Sequence, residues 1–135
     1  MTQEKHKIPL SLTLVRPGGH NTRPIFAITL GDMPREAFAL TPFVARFTGG
    51  VGTHEQDLDA VLECLSSDAW LGSMDYDDAL EDLGDISFDD WRECCRIYRA
   101  FKSILSPQAL QDLMESQGDE DLMAEKFEIR PPKSI

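Results

Sequence analysis

The sequence has few cysteines and no long apolar run, and these two absences exclude several classes of protein. No uncharged stretch approaches the roughly 18–20 residues that a membrane-spanning helix requires. The apolar segment at residues 8–15 is short and lacks a small-residue cleavage site, so no secretory signal is predicted. Three cysteines, an odd number, suit a reducing compartment better than a disulfide framework. We therefore expect a cytoplasmic protein without a membrane segment.

The spacing of known catalytic and metal sites is also missing. The histidines and cysteines match no nucleophile signature and no zinc pattern; they are His6, His20, His54, Cys64, Cys94 and Cys95. An EF-hand loop started at Asp75 would place Ala79 and Leu80 where an oxygen ligand and a glycine are needed. The glycine-rich segment 47–53 has no phosphate-binding lysine, and the acids after it would repel a phosphate. We predict no enzymatic activity, no metal and no cofactor.

Positive charge is absent from one long segment. The 135-residue chain has a net charge of −11, and residues 55–90 contain thirteen acids and no lysine or arginine. Residues 1–54 hold six bases and three acids, a net charge of +3, and four bases return at Arg92, Arg96, Arg99 and Lys102. The overall acidic balance argues against direct binding to nucleic acids or anionic membranes, because polyanions attract basic patches.

Two interpretations of the acidic segment stay open. In the first, the acids are the solvated faces of amphipathic helices and are neutralised in part by the four bases that follow. That interpretation does not explain the missing lysines and arginines, since helices are normally stabilised by opposite charges at i, i+4. In the second, the acids form a negative surface for a basic protein partner. The residues favoured for that surface are those that no base interrupts: Asp75, Asp77, Asp78, Glu81, Asp82, Asp85, Asp89 and Asp90.

The second interpretation predicts a non-enzymatic interaction protein. Carboxylates several ångströms apart can imitate the phosphates of duplex DNA, which carry about one charge per 1.7 Å of helix axis. The chain would then inhibit a DNA-binding or defence protein as a nucleic-acid mimic. Anti-restriction and anti-CRISPR proteins are similar to it in size and charge, a resemblance of composition alone.

Two further hypotheses use other residues. In a small enzyme or ligand-binding domain, an anionic ligand would be held by bases of the N-terminal half: Arg16, His20, Arg23 and Arg46. A dimerising or scaffold subunit would instead use the apolar face of Trp91, Tyr98 and Phe101, although such a face more often forms core.

The apolar pattern predicts an α+β fold in a single domain. Residues 7–15 and 25–30 alternate apolar and polar side chains, which predicts an antiparallel β-hairpin with Pro9 near a sheet edge or at the strand start. A third strand is left open, as is the choice of helix or strand for residues 33–48. The chain divides into a β-rich half at 1–52, an acidic helical half at 53–118 and a tail at 119–135.

About four helices are expected to pack on one face of the hairpin. The first follows Thr53 and has an apolar stripe of Leu58, Val61, Leu62 and Leu65. The second runs from a cap at Ser73 to Gly84, with Tyr76, Leu80 and Leu83 on one face. The third begins at a Ser87 cap and has an apolar face of Trp91, Cys94, Cys95, Tyr98, Phe101 and Leu105. Ser106 and Pro107 open the fourth.

Overall fold

A three-stranded sheet holds the β-rich part of the protein. The computed structural model describes residues 5–16, 25–33, 54–116 and 119–130. Strand β1 spans His6–Arg16, β2 spans Ile25–Leu30 and β3 spans Phe127–Arg130, in the sheet order β2-β1-β3. The predicted hairpin is present, since β1 and β2 pair antiparallel with Leu10 opposite Leu30. The third strand comes from the end of the chain and pairs parallel to β1, with Ile8 opposite Ile129.

The prediction that Pro9 marks a sheet edge or a strand start is wrong. Pro9 is the fourth residue of β1, which is the central strand of the described sheet. Its carbonyl accepts a hydrogen bond from the Gly31 N–H at 2.7 Å, just beyond the last residue of β2. The proline nitrogen faces the same side, because paired residues of an antiparallel ladder direct both backbone groups at each other. The missing N–H therefore falls where the ladder with β2 ends.

Five helices follow in the described part of the chain. Helix α1 spans His54–Gly72, α2 Tyr76–Leu83, α3 Phe88–Ile104, α4 Pro107–Ser116 and α5 Glu120–Lys126. The α+β class and the order of strands before helices match the prediction. The segment treated as a tail contains α5 and β3, so the chain returns to the sheet after its helices. In the described ranges, none of the helices has the length and apolar content to cross a membrane.

The main core lies between the sheet and α1. The four residues of the predicted stripe on α1 are all buried, against Ile8, Leu10, Ile28 and Leu30 of the sheet. Helices α3, α4 and α5 and strand β3 complete the same core with Ile97, Phe101, Leu113, Met123 and Phe127. Ile97 lies in the middle of the buried face of α3, although the sequence analysis did not select it.

A smaller apolar cluster holds α2 against α1 and α3. It consists of Leu71, Ala79, Ile86 and Cys94, with Trp70, Met74, Tyr76, Leu80 and Trp91 packed around them. Helix α2 begins later than predicted, because Asp75 rather than Ser73 is its N-cap. The Ser73 hydroxyl donates instead to the Trp70 carbonyl at 2.6 Å and closes the end of α1. Gly84 ends α2 with a positive φ of 87°, as its position predicts.

Several predicted segments lie outside the described residues. They are the turn at 17–22, the glycine-rich segment at 49–53 and all but Met33 of the ambiguous segment at 33–48. His20, Arg23 and Arg46, three of the four residues proposed for an anion site, are also outside, and the side chain of Arg16 in β1 is not described. The hypothesis of an anionic ligand therefore stays a prediction.

Candidate acidic interaction surface

The eight candidate acids lie on one corner of the molecule formed by α2, the loop that follows it and the first turn of α3. We call this set, Asp75, Asp77, Asp78, Glu81, Asp82, Asp85, Asp89 and Asp90, the acidic surface. Asp75 caps α2 by accepting a hydrogen bond from the Asp78 N–H at 2.9 Å. Ser87 caps α3 in the same way, with the Asp90 N–H at 3.1 Å. Four acids thus lie in the first turns of two helices, where the helix dipole favours negative charge.

All eight side chains of the acidic surface are exposed to solvent. In the described part of the chain none of them takes part in an ion pair; the ion pairs there involve other acids, Glu93, Asp112 and Glu128. The four bases of α3 therefore do not pair with this surface. Arg96 pairs with Glu93 on its own helix, and Arg92, Arg99 and Lys102 are exposed. The eight carboxylates are free to meet a partner.

An aromatic cluster gives this corner a fixed shape. The rings of Tyr76, Phe88 and Trp91 lie 5.2–5.6 Å apart, the spacing of interacting aromatic pairs. The Tyr76 hydroxyl donates to the Ile86 carbonyl at 2.8 Å, and the Trp91 indole N–H donates to the Met74 carbonyl at 3.1 Å. The first bond joins α2 to the loop after it, and the second joins α3 to the loop before α2. These contacts therefore fix the backbone that carries the carboxylates.

Two apolar side chains are exposed beside the acids. Phe88 is 51% exposed and Leu83 is 49% exposed. The apolar pattern predicts Leu83 on one face of α2 together with Tyr76 and Leu80, and it assigns no role to Phe88. The inward residue is Ala79, and Leu83 lies beyond it at the end of the helix. The exposure of Phe88 could have been predicted from its position in the first turn of α3, because it lies on the side of the helix opposite the buried Cys94, Ile97 and Phe101.

A second polar cluster lies at the other side of the fold, around Asp112 of α4. The His6 Nε2 and the Asp112 Oδ2 are 2.7 Å apart, the Gln108 amide donates to Oδ1 at 3.0 Å, and the Lys126 ammonium lies 3.4 Å from Oδ1. Burial raises the pKa of Asp112, but these hydrogen bonds and the charge of Lys126 outweigh it, so the pKa lies below its ordinary value. The cluster joins β1, α4 and α5, and this position gives it a structural role.

The cysteines show no sign of nucleophilic chemistry in the described structure. Cys64, Cys94 and Cys95 form no disulfide, and Cys94 is buried in the smaller cluster. Burial raises the pKa of Cys95, against the opposing charge of Arg99 and a backbone hydrogen bond, which keeps the thiol protonated at neutral pH. Cys95 is only partly buried and lines an outer groove of α3, whereas the sequence analysis placed it on the inward face. Within the described ranges no group of three or more metal-ligating side chains is present.

Comparison with known proteins gives no relative from which a function could be inferred, so the acidic surface is interpreted from its geometry. No protein-family model, no curated protein and no solved structure matches the chain. What the described residues define is an exposed, unpaired acidic surface with two apolar side chains beside it.

Proposed function

We propose that this chain is a non-enzymatic interaction protein that binds a basic protein partner through the acidic surface. The observation that supports the proposal is the state of its eight carboxylates, which are all exposed and, within the described residues, form no ion pair. Like charges held close together oppose the compact state. A basic partner would relieve that repulsion, which the bases of α3 do not.

The apolar residues beside the acids supply binding affinity, which complementary charge alone provides poorly. Complementary charge speeds encounter and selects the partner, while affinity comes mostly from a few buried side chains near the centre of an interface. Phe88 and Leu83 are exposed at this corner, and Phe88 is backed by the rings of Tyr76 and Trp91. A partner that matches both features has lysines and arginines around an apolar depression.

In its sharpest form the proposal is an inhibitor that imitates nucleic acid. A groove that binds phosphates is lined by lysine and arginine, and the acidic surface offers such a groove two short rows of carboxylates on α2 and α3. The chain would compete with DNA or RNA for its binder, in the cytoplasm, where its three cysteines would stay reduced.

Charge reversal at three positions tests the surface without disturbing α2. Glu81 and Asp82 lie in the last turn of α2, where lysine suits the helix dipole, and Asp85 lies in the loop after it. We expect the triple variant Glu81→Lys, Asp82→Lys and Asp85→Lys to lose at least about a hundredfold in affinity for the basic protein captured by the wild-type chain from its source lysate. Far-ultraviolet circular dichroism should be unchanged.

A matched variant controls for the change in net charge. Glu115, Asp121 and Glu125 are exposed acids on α4 and α5, and replacing all three by lysine changes the net charge equally. This control should keep the affinity within a few-fold of wild type. Equal losses in both variants would contradict a defined surface. If the chain imitates nucleic acid, it must also displace a nucleic-acid duplex from the captured protein. Binding without displacement would support a basic partner and would contradict mimicry.

A further inference from the structure

The outer face of α3 forms a groove that the proposed function does not use as a whole. Its volume is about 550 Å³, and it extends along the helix from Phe88 to Arg99. Phe88 and Trp91 line it near its beginning, and Cys95 lines its middle. The buried face of the same helix, with Ile97 and Phe101, belongs to the core. The apolar face of Trp91, Tyr98 and Phe101 considered for dimerisation is therefore not available as a whole, because Phe101 is fully buried.

The charges along this groove change sign from one end to the other. Asp89 and Asp90 lie at its beginning, and Arg96 and Arg99 lie at its end. Between them lie Arg92 and Glu93, and the six charged residues that line the groove sum to zero. Within the described residues, neither Asp89 nor Arg99 takes part in an ion pair. A purely basic occupant would leave the arginines unmatched, and a purely acidic one would leave the aspartates unmatched.

We propose that the occupant is α3 of a second copy of this chain, lying antiparallel across a two-fold axis near residue 94. An antiparallel copy offers the same charges in reverse order. Asp89 and Arg99 lie five residues to either side of residue 94, roughly 7.5 Å along the axis at 1.5 Å per residue. The two-fold rotation therefore brings Asp89 of each copy opposite Arg99 of the other, twice in one interface, as an isologous dimer requires. It also brings Arg92 opposite Arg96 of the other copy, where Glu93 on the same helix as Arg96 pairs with that arginine and offsets its charge.

The dimer forms independently of the proposed function, although it shares Phe88, Asp89 and Asp90 with it. Asp89 and Asp90 belong to both the groove and the acidic surface, while the six acids from Asp75 to Asp85 do not line the groove. Two copies would then present the six acids from Asp75 to Asp85 twice on one particle. The dimer forms without the basic partner, so its failure in a test is distinct from failure of partner binding.

Reciprocal charge reversal tests both the dimer and its antiparallel arrangement. Sedimentation equilibrium of the wild-type chain over a concentration series should show a monomer–dimer equilibrium. Asp89→Arg alone and Arg99→Asp alone should each weaken the dimer by at least about tenfold, because each places like charges opposite one another. The double variant Asp89→Arg/Arg99→Asp restores opposite pairs and should restore the dimer. An equimolar mixture of the two single variants should dimerise as well.

Cross-linking of the wild-type protein is a second measurement that needs no charge variant. A two-fold axis near residue 94 places Cys95 close to its own copy, so a short bis-maleimide should link two chains. Cys95→Ser should abolish the link, and Cys64→Ser, which removes a cysteine on α1, should retain it. A wild-type chain that is monomeric at all concentrations would overturn the proposal. So would a double variant that stays as weak as its single parents, which would assign the groove to another occupant.

Discussion

Asp112 illustrates how a single buried charge is held in this fold. Its carboxylate is bonded to His6, Gln108 and Lys126, and the hydrogen bonds lower its pKa despite burial. A pKa lower in the folded than in the unfolded chain means that the unfolded chain binds more protons as the pH falls. The contribution of Asp112 to stability is thus complete above the ordinary aspartate pKa of about 3.9 and is lost as the pH falls through the folded value.

We expect Asp112→Asn to lower the free energy of unfolding by about 2 kcal/mol at pH 7, because it leaves partners of a buried carboxylate poorly matched. The deficit should begin to shrink below about pH 4 and should vanish as the pH falls through the lower pKa of the folded carboxylate, where the wild-type group becomes protonated as well. Urea unfolding of both proteins between pH 7 and pH 3 measures this. Asp77→Asn, at an exposed position, is the control and should follow wild type at every pH. A deficit that does not change with pH would mean that the charge of Asp112 is not what stabilises the fold.

Gly72 determines how closely two helices approach. It is the last residue of α1, and a Cβ atom at this position would overlap the backbone carbonyl of Cys94 on α3. Backbone cannot move aside as a flexible side chain can, so Gly72→Ala should destabilise the protein by about 3 kcal/mol through overpacking. Thermal and urea unfolding measure the loss.

Gly84→Ala separates this steric effect from the cost of a left-handed backbone. Gly84 has a positive φ of 87°, but a Cβ there meets no atom within 4 Å. Its replacement should cost only about 1–2 kcal/mol, the penalty of that conformation for a residue with a side chain. If the two variants lose the same stability, close contact between α1 and α3 is not the reason that position 72 is glycine.

At the scale of elements, local pattern was enough for the long helices and the hairpin, and it failed where two signals competed. The stripe from Leu58 to Leu65 and the cap at Ser87 are both present, because each depends on neighbours within one or two turns. Ser73 and Asp75 both suit an N-cap, and the structure uses Asp75. Nothing in the local sequence indicates which of the two is used.

Strand β3 could not be found from local pattern for a different reason. It has four residues, Phe127–Arg130, and its partner strand β1 lies at the other end of the chain. Only two of its side chains, Phe127 and Ile129, pack against the core, which is too few for an alternating pattern to stand out. Pairing of this kind joins segments that are distant in the sequence, so no local pattern records it. The His6–Asp112 contact depends on the same long-range arrangement.

The exposure of the acidic surface followed from the sequence, because six of its acids flank an apolar stripe on a helix and Asp75 and Asp85 lie in the loops on either side of α2. The lack of ion pairs at this surface within the described residues did not follow from the sequence, since it depends on the direction in which α3 presents its bases. Helix α3 directs Arg92, Arg96 and Arg99 along its own outer groove and leaves the acids of α2 uncompensated. The exposure of these acids was thus predictable, while their lack of ion pairs in the described structure required the packing of α2 against α3.

For the whole molecule, this arrangement predicts how stability depends on salt. The chain has a net charge of −11, and its largest group of acids has no internal counter-charge in the described structure. Repulsion between exposed charges is screened as the Debye length falls from about 30 Å at 0.01 M to about 8 Å at 0.15 M salt. The melting temperature should therefore rise as sodium chloride is added over this range.

The triple variant Glu81→Lys, Asp82→Lys and Asp85→Lys sharpens the test, because it changes the net charge from −11 to −5. It should melt at a higher temperature than wild type in 0.01 M salt and respond less to added salt, since less repulsion remains to be screened. The matched variant at Glu115, Asp121 and Glu125 has the same net charge but keeps the acidic surface. If repulsion is concentrated at that surface, this control should retain most of the salt response of wild type. A melting temperature that falls with salt in the wild-type chain would show that attractive ion pairs dominate, and the acids would then be neutralised within the molecule.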